Sequence, residues 1–243
     1  MNTKFLTTAA VLAISLSTGA QASLVARTGG MVYDTVNNIT WAADANLFQT
    51  QAASNANLVS EIIAANGGVI HDTPNGYDNG TYTLTTADFD TTTGRMTWWG
   101  AQAWANNLTL GGVTGWSLPS TPIEDFGYNV TSSQMGDLFY NQLGVSAGSS
   151  IATSTNPNYN LFTNLQIYVY WSGSEYAPFP GGAWDFNTYN GDQGSIIYYK
   201  DHLLLAWAVR PGDVAAVPVP GAFWLFGSAM VGLMGLKRRG SIG

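Results

Sequence analysis

The chain has 243 residues, with 15 Asp and Glu against 8 Lys and Arg and a formal net charge of −7. It contains no cysteine, which excludes a disulfide framework, a thiol nucleophile and a zinc–thiolate site. Such an acidic chain is a poor partner for nucleic acid or an anionic membrane surface. Only 9% of the residues are charged, which suits either a neutral hydrogen-bonding partner or an inert matrix protein.

The first 22 residues have the pattern of a secretory signal peptide. Lys4 precedes an apolar run at residues 5–16, and Ala20 and Ala22 flank Gln21 in a small-x-small arrangement. Signal peptidase recognises this combination, so we expect cleavage after Ala22. The N-terminal segment is therefore not expected to be part of the folded domain.

Residues 23–213 are expected to form one domain of the α+β class, with short helices, small antiparallel sheets and long loops. The domain contains four of the cations and all 15 carboxylates, so its formal charge is about −11. A hairpin is predicted at residues 32–41, around a turn at Asn37 and Asn38. Apolar periodicity predicts helices over residues 52–65, 98–108 and 135–143, the last with Thr131 and Gln134 at capping-box spacing and Gly144 as its C-cap. Short strands are predicted around Tyr82 and over residues 168–171, 183–187, 196–200 and 205–210.

A series of sequence blocks carries a family resemblance. They are GRMTWW at 94–99, AQAWA at 101–105, GWSLP at 115–119, MGDL at 135–138, YWSGSE at 170–175, AWDFN at 183–187 and AWAVRPGD at 206–213. In this order they resemble the Lcl C-terminal domain family, formerly a domain of unknown function, whose namesake is the terminal domain of a collagen-like adhesin. The resemblance implies a C-type-lectin-like fold, and fold alone does not determine function.

Aromatic residues are the first candidates for ligand binding. Most of the nine tryptophans are expected in the core, because large rings stabilise a loop-rich fold without disulfides. Trp99 is predicted to be the most exposed, since Trp98 occupies the buried stripe of the same helix. Tyr176, Phe179 and Tyr189 lie in turn-rich stretches and are candidate stacking surfaces for sugar rings.

The C-terminal third of the domain also contains oxygen-bearing side chains at close spacing. Glu175, Asp185 and Asn187, followed by Asn190 and Asp192, could hold a calcium ion. The alternative is a solvated, turn-forming role, and no other cofactor or metal is expected. Arg210 ends an otherwise apolar strand and is predicted to pair with a buried carboxylate, either Asp34 or Asp213.

The sequence does not predict an enzyme, because the residues and motifs that usually carry catalysis are few. His71 and His202 are the only histidines, and the chain has no nucleophile elbow, metal-binding histidine pair or phosphate loop. Paired carboxylates, for instance Glu124 and Asp125 with Glu175, keep a secreted glycan hydrolase open as a minor alternative.

The C-terminus has a three-part pattern. Its parts are Val217, Pro218, Val219 and Pro220 in a linker at 214–220, the uncharged segment 221–236, and the cations Lys237, Arg238 and Arg239. The uncharged segment would span about 24 Å as a helix, close to the apolar thickness of a bilayer. We expect a transmembrane helix at residues 221–239, with the cations on the cytoplasmic side.

This pattern resembles the PEP-CTERM sorting signal of Gram-negative bacteria, although Val219 stands where most members have Glu. The resemblance implies an exosortase-like processing enzyme as partner, passage through the inner membrane, and a membrane-anchored precursor that reaches the cell surface or extracellular matrix. A plain C-terminal membrane anchor is the alternative.

The sequence therefore predicts an exported, non-catalytic binding module associated with exopolysaccharide, as in a biofilm. A structural or protein-interaction role at the surface, without a specific glycan ligand, is the second hypothesis. Binding to purified polysaccharide distinguishes the two.

Overall fold

The computed structural model describes residues 23–122, 125–194 and 198–214, and these residues form an α+β domain, as predicted. The predicted signal peptide, most of the linker and the C-terminal apolar segment lie outside the described residues, as does Glu124. Among the helices of the described residues, none combines the length and the apolar character that a membrane span requires.

Twelve short strands in the described residues make two four-stranded sheets and two small hairpins. They are β1 Leu24–Arg27, β2 Met31–Asp34, β3 Ile39–Ala42, β4 Val69–His71, β5 Thr81–Thr83, β6 Phe89–Asp90, β7 Arg95–Met96, β8 Val169–Glu175, β9 Gly182–Asn187, β10 Asp192–Gln193, β11 Tyr198–Tyr199 and β12 Val209–Pro211. The first sheet has the order β1-β2-β3-β12, and β9 is the centre of the second, where it pairs with β8, β10 and β11. All these pairings are antiparallel. The hairpins are β4-β5 and β6-β7.

The hairpin predicted at residues 32–41 is confirmed as β2-β3. Asp34 closes its turn by accepting hydrogen bonds from the backbone amides of Val36 and Asn37 at 2.9 and 3.0 Å. Asn38 has a φ of 51°, a left-handed conformation that asparagine tolerates better than most residues. Local turn chemistry therefore determines this register.

Residues 204–211 join the two sheets. Leu205 donates a backbone hydrogen bond to Val169 and accepts one from Trp171, both on β8. A few residues later, Ala208 accepts from Ala42, and β12 then pairs with β3. Only the last part of the strand predicted at 205–210 is therefore a regular strand, namely the start of β12. The first part of the predicted strand instead connects the two sheets.

The helices are α1 Leu47–Ser54, α2 Leu58–Ala65, α3 Trp98–Asn107 and α4 Gln134–Asp137, the last continued by a π-helical turn at Leu138–Gln142, and there are 3₁₀ turns at Thr86–Asp88, Ile151–Thr153 and Pro157–Leu161. The helix predicted at 98–108 is confirmed. The single helix predicted at 52–65 is wrong, since α1 and α2 are separate. The side chain of Asn55 accepts the amide of Asn57 at 2.9 Å, and such a local turn competes with helical hydrogen bonding.

The helix predicted at 135–143 is present, but its cap differs from the prediction. Ser133, not Thr131, is the N-cap, and its hydroxyl accepts the amide of Gly136 at 2.9 Å. Gly144 follows with a φ of 64°, the conformation expected of a C-cap glycine.

Tryptophan side chains form much of the core, as the sequence predicted. Trp41 and Trp207 are fully buried and pack edge to face, with ring centroids 5.0 Å apart. The indole N–H of Trp207 donates to the carbonyl of Ala42 at 2.7 Å, and that of Trp171 donates to the carbonyl of Met96 at 2.9 Å. Each ring thus fills volume and also fixes one backbone segment against another.

The pairing predicted for Arg210 stays a prediction. One of the two proposed partners, Asp213, pairs with Arg27 through two hydrogen bonds of 2.7 and 2.8 Å. Asp34 is occupied by its own turn and by the amides of Asn37 and Gln142. The Nε of Arg210 is buried without a hydrogen-bond partner among the described residues.

Gly94 supplies a test of the packing between the β6-β7 turn and α1. Its φ is 81°, and a Cβ at this position would collide with the side-chain amide of Asn46, which is buried. Gly94→Ala should therefore lower the free energy of unfolding by more than the roughly 1–2 kcal/mol that a left-handed alanine costs. Thermal or urea unfolding measures the difference.

Gly112→Ala is the matched control, because Gly112 has a φ of 79° and open space around its Cβ position. Equal destabilisation by the two alanines would contradict the close packing of Gly94 on Asn46.

Candidate functional site

A buried lysine is the most unusual feature of the domain. The side chain of Lys200 is 0% exposed, and its Nζ lies 2.5 Å from Oδ2 of Asp72 and 2.6 Å from Oε1 of Glu175. The side chain of Asp72 is also 0% exposed, whereas that of Glu175 is 23% exposed. One ammonium group is thus held between two carboxylates out of contact with water.

Three distant parts of the sequence meet at this lysine. Asp72 directly follows β4, Glu175 ends β8, and Lys200 directly follows β11. The backbone of Lys200 is fixed as well, because its amide donates to Gly181 and its carbonyl accepts from Trp98. The ion pairs therefore connect the β4-β5 hairpin to the second sheet.

Two indole rings complete the surroundings of the ammonium. Nζ lies 4.4 Å from the ring centre of Trp98 and 5.9 Å from that of Trp99. Both distances are in the range of cation–π attraction. The indole N–H of Trp99 also donates to Oδ2 of Asp72 at 2.9 Å.

The exposure predicted for Trp99 is wrong, because its ring is fully buried. The β4-β5 hairpin covers it, and Tyr82 of that hairpin stacks on the indole with ring centroids 3.8 Å apart and an interplanar angle of 2°. A ring enclosed in this way offers no face to a sugar.

An open cleft of about 650 Å³ lies over the lysine. Its lining consists of His71, Asp72, Thr73, Pro74, Trp98, Gly173 and Glu175. Thr73 holds Glu175 through its amide at 3.0 Å and its hydroxyl at 2.5 Å. Burial alone raises the pKa of Glu175, but the hydrogen bonds from Lys200 and Thr73 outweigh burial and keep that pKa below its ordinary value.

Exposed aromatic rings form a second feature, which we call the aromatic patch: Tyr77, Phe179 and Tyr199. These side chains come from the β4-β5 loop, the β8-β9 loop and β11, and the residues are 42, 45 and 49% exposed. Phe179 and Tyr199 pack edge to face with centroids 5.5 Å apart. A Cβ on Gly181 would lie 2.9 Å from the ring of Phe179 and 3.4 Å from that of Tyr77, so the glycine lets both rings approach.

Polar groups border the aromatic patch. The imidazole of His202 stacks against Tyr199 with an interplanar angle of 19°. Its Nδ1 lies 3.3 Å from a carboxylate oxygen of Asp201. Partial burial raises the pKa of Tyr77, and the charge of Asp201 and a hydrogen bond to it raise that pKa further. Flat rings beside a carboxylate and an imidazole can contact both the C–H faces and the hydroxyls of a neutral ligand.

Tyr176 and Tyr189 are not members of the patch. Tyr176 is half-buried and packs edge to face on Phe126 and Trp184, with centroids 5.8 and 5.6 Å away. Tyr189 is 64% exposed and lies in the turn between β9 and β10. Of the four aromatic residues predicted for ligand binding, the structure places only Phe179 in the patch.

The side chains proposed for calcium make other contacts. Glu175 binds Lys200 and Thr73, as described above. The side-chain oxygens of Asn187 and Asn190 accept the backbone amides of Tyr189 and Asp192, at 2.9 and 3.0 Å, and so stabilise a turn. Among the residues that the structure describes, no group of three or more His, Asp or Glu side chains is arranged to hold a metal. A calcium site therefore stays a prediction.

Asp185 lies in the core on β9, and its Oδ2 has no hydrogen-bond partner among the described residues. Burial, together with the nearby charge of Asp192, raises the pKa of Asp185 well above its ordinary value. Such a carboxyl is inaccessible to a ligand in the folded domain.

Sequence reasoning missed Lys200 because charge alone does not reveal burial. One signal was present: Lys200 is the only lysine in residues 23–214, at the end of a strand pattern. Its partner Asp72 is 128 residues away, which no local pattern predicts.

Asp185→Asn is expected to stabilise the domain at neutral pH. The pKa of Asp185 is raised in the folded state. The contribution of Asp185 to stability is therefore fully present below its unfolded-state pKa of 3.8 and is lost as the pH rises toward its folded-state pKa. Melting temperatures measured between about pH 3 and pH 7 should show the gain from asparagine growing with pH.

Asp90→Asn is the control, for which the opposite effect on stability is expected. The hydroxyl of Thr93 lowers the pKa of Asp90, so its stabilising effect is present above 3.8 and is lost as the pH falls through the folded pKa. That variant should be less stable than the parent at neutral pH and approach it in acid. Parallel pH profiles for the two asparagine variants would contradict this assignment.

No family model, no curated protein and no solved structure matches this chain.

Proposed function

We propose that this is an exported surface protein of a Gram-negative bacterium and that residues 23–213 are a non-catalytic module that binds neutral exopolysaccharide. The observation that carries the proposal is the aromatic patch. Its three rings come from separate segments and stay between 42 and 49% exposed, although the domain buries most of its tryptophans. Exposed rings grouped beside polar side chains are typical of a binding surface rather than of chance exposure.

The charge of the domain supports a neutral ligand. With four cations against 15 carboxylates, residues 23–213 would repel a polyanion such as nucleic acid. The neutral hexose ring offers an apolar C–H face to an aromatic side chain, while its hydroxyls bond to groups such as Asp201 and His202 at the border of the patch.

The fold and both ends of the chain agree with this proposal. The mixed domain with small antiparallel sheets and long loops is compatible with the C-type-lectin-like fold that the resemblance to the Lcl C-terminal domain implies. The N-terminal signal pattern and the C-terminal Pro motif, apolar segment and basic cluster support export, processing by an exosortase-like enzyme and display at the surface or in the matrix.

The contacts of the cleft favour binding over hydrolysis. A glycan hydrolase needs two carboxyl groups free to act on the substrate. Here Asp72 is buried against Lys200, and Glu175 is held by Lys200 and Thr73. We therefore propose that the protein holds glycan without cutting it, which an assay for released reducing ends checks.

Protein recognition is the second candidate function, and the same exposed rings favour it. Tyrosine and phenylalanine are common at protein interfaces. In that case the module would connect surface proteins instead of glycan chains.

Replacing patch residues should weaken polysaccharide binding. An aromatic contact contributes about 0.5–1.5 kcal/mol, so Phe179→Ala and Tyr199→Ala should each lower affinity roughly 2–10-fold. Affinity electrophoresis of the purified protein in gels containing dextran, or exopolysaccharide purified from the producing bacterium, measures the effect.

Tyr189→Ala is the matched control, since this ring is 64% exposed but lies outside the patch. Unchanged affinity is expected for it. A parent protein that neither polysaccharide retards would contradict glycan binding, and a loss confined to Tyr189→Ala would place the binding surface elsewhere.

Binding through the patch should not require calcium. The oxygens of Glu175, Asn187 and Asn190 already accept hydrogen bonds, so we expect the same retardation in gels with calcium and in gels with EDTA. Loss of binding in EDTA would instead support the calcium site suggested by the sequence.

A further inference from the structure

We propose that Lys200 and Asp72 form an intramolecular isopeptide bond, in which Glu175 accepts the proton that frees the lysine amine. The first support is proximity. The nucleophilic Nζ lies 2.5 Å from one oxygen of Asp72 and 2.6 Å from the carboxylate of Glu175. The lysine amine thus contacts the carboxyl group that would acylate it and also the carboxylate that would remove its proton. Such pre-positioning supplies much of what an intramolecular reaction needs.

Burial gives the second support. The side chains of Lys200 and Asp72 are both 0% exposed. Two ions in such a place have lost their hydration, which penalises the charged forms. Conversion of the ammonium and carboxylate into a neutral amide removes that penalty, and exclusion of water protects the amide from hydrolysis.

The two oxygens of Asp72 have different surroundings. Oδ2 accepts the indole N–H of Trp99 at 2.9 Å and the side-chain amide of Asn75 at 3.2 Å. These donors stabilise negative charge on Oδ2 when the carboxyl carbon becomes tetrahedral, as in an oxyanion hole. Oδ1 is buried and has no hydrogen-bond partner among the described residues, so it is the oxygen that can leave.

The reaction balances without an oxidant, a reductant or another reactant. Glu175 takes a proton from the ammonium of Lys200 and passes it to Oδ1 of Asp72, and the free amine then attacks the Cγ atom of this neutral carboxyl group. An N–C bond forms and the bond from Cγ to Oδ1 breaks. Two of the three ammonium protons end on Oδ1, which leaves as water, and the third stays on the amide nitrogen. Glu175 returns its proton and ends as it began.

Glu175 is the base rather than the acylated group because of its own contacts. Thr73 holds both of its oxygens, the amide on Oε1 and the hydroxyl on Oε2, and these bonds stabilise the carboxylate. Glu175 is also 23% exposed, so water reaches it more easily than it reaches Asp72. An ionised, partly hydrated carboxylate accepts protons well but is a poor acyl group.

The bond would have a clear structural consequence. It would join residues 128 positions apart and fasten the β4-β5 hairpin to the second sheet. Since the chain has no cysteine, an isopeptide bond would supply a covalent cross-link that a disulfide cannot supply here.

Peptide mapping of the purified full-length chain tests the proposal. Lys200 is the only lysine in residues 23–214, and Arg95 separates Asp72 from Glu175 in a tryptic digest. An unlinked chain, digested after denaturation, releases residues 28–95 and 96–200 as separate peptides. The proposal predicts instead that residues 28–95 stay joined to Lys200, that trypsin does not cut after Lys200, and that the joined species is lighter than its parts by one water.

Variants identify the roles of the two carboxylates. Asp72→Ala should be unlinked. Glu175→Gln keeps the size of the side chain and one acceptor oxygen but not its basicity, so linking should slow by roughly 100-fold or more. Asp78→Asn is the control in the same loop and should link fully, because Asp78 contacts the amide of Gly80 rather than Lys200.

Two results would overturn the proposal. The first is a parent protein that gives residues 28–95 and 96–200 as separate peptides of full mass. The second is a loss of water within the peptide that contains both Glu175 and Lys200, with residues 28–95 free, because the acyl group would then be Glu175. Neither result depends on glycan binding, so this test is independent of the proposed function.

Discussion

The burial of one positive charge constrains the whole of this domain. Lys200 has no exposed side-chain surface, and removing an ammonium group from water is costly unless carboxylates and hydrogen bonds compensate. Asp72 and Glu175 supply that compensation from two different elements. The β4-β5 hairpin must therefore close over the second sheet, since otherwise the lysine would lack one of its partners.

Several other features follow from that closure. With the hairpin in place, Tyr82 stacks on Trp99, and the indole N–H of Trp99 reaches Asp72. The same closure brings Tyr77 beside Phe179 at Gly181, so the aromatic patch is assembled by the segment that buries the lysine. The buried ion pairs of Lys200 therefore hold the loops of the aromatic patch in place. Because these loops are already ordered, less entropy is lost when a ligand binds.

Local patterns predicted the parts of this structure that depend on local chemistry. The β2-β3 hairpin and α3 follow from turn residues and helical periodicity. Contacts between distant segments could not be predicted in this way. The prediction for Trp99 failed because helical periodicity identifies only the one face of a helix that packs on the core. The β4-β5 hairpin covers α3 on a second side, which the periodicity does not reveal. Lys200, which local patterns did not single out, neutralises two carboxylates in the fold, and these partners are 128 and 25 residues away.

The central claim is that Lys200 is enclosed in the folded protein by Asp72 and Glu175. Labelling of the native chain with an amine-reactive reagent, followed by peptide analysis at residue 200, measures this directly. The account predicts that Lys200 stays unmodified under conditions in which an exposed lysine is fully labelled. Labelling of Lys200 in the native chain at the rate of an exposed lysine would contradict it.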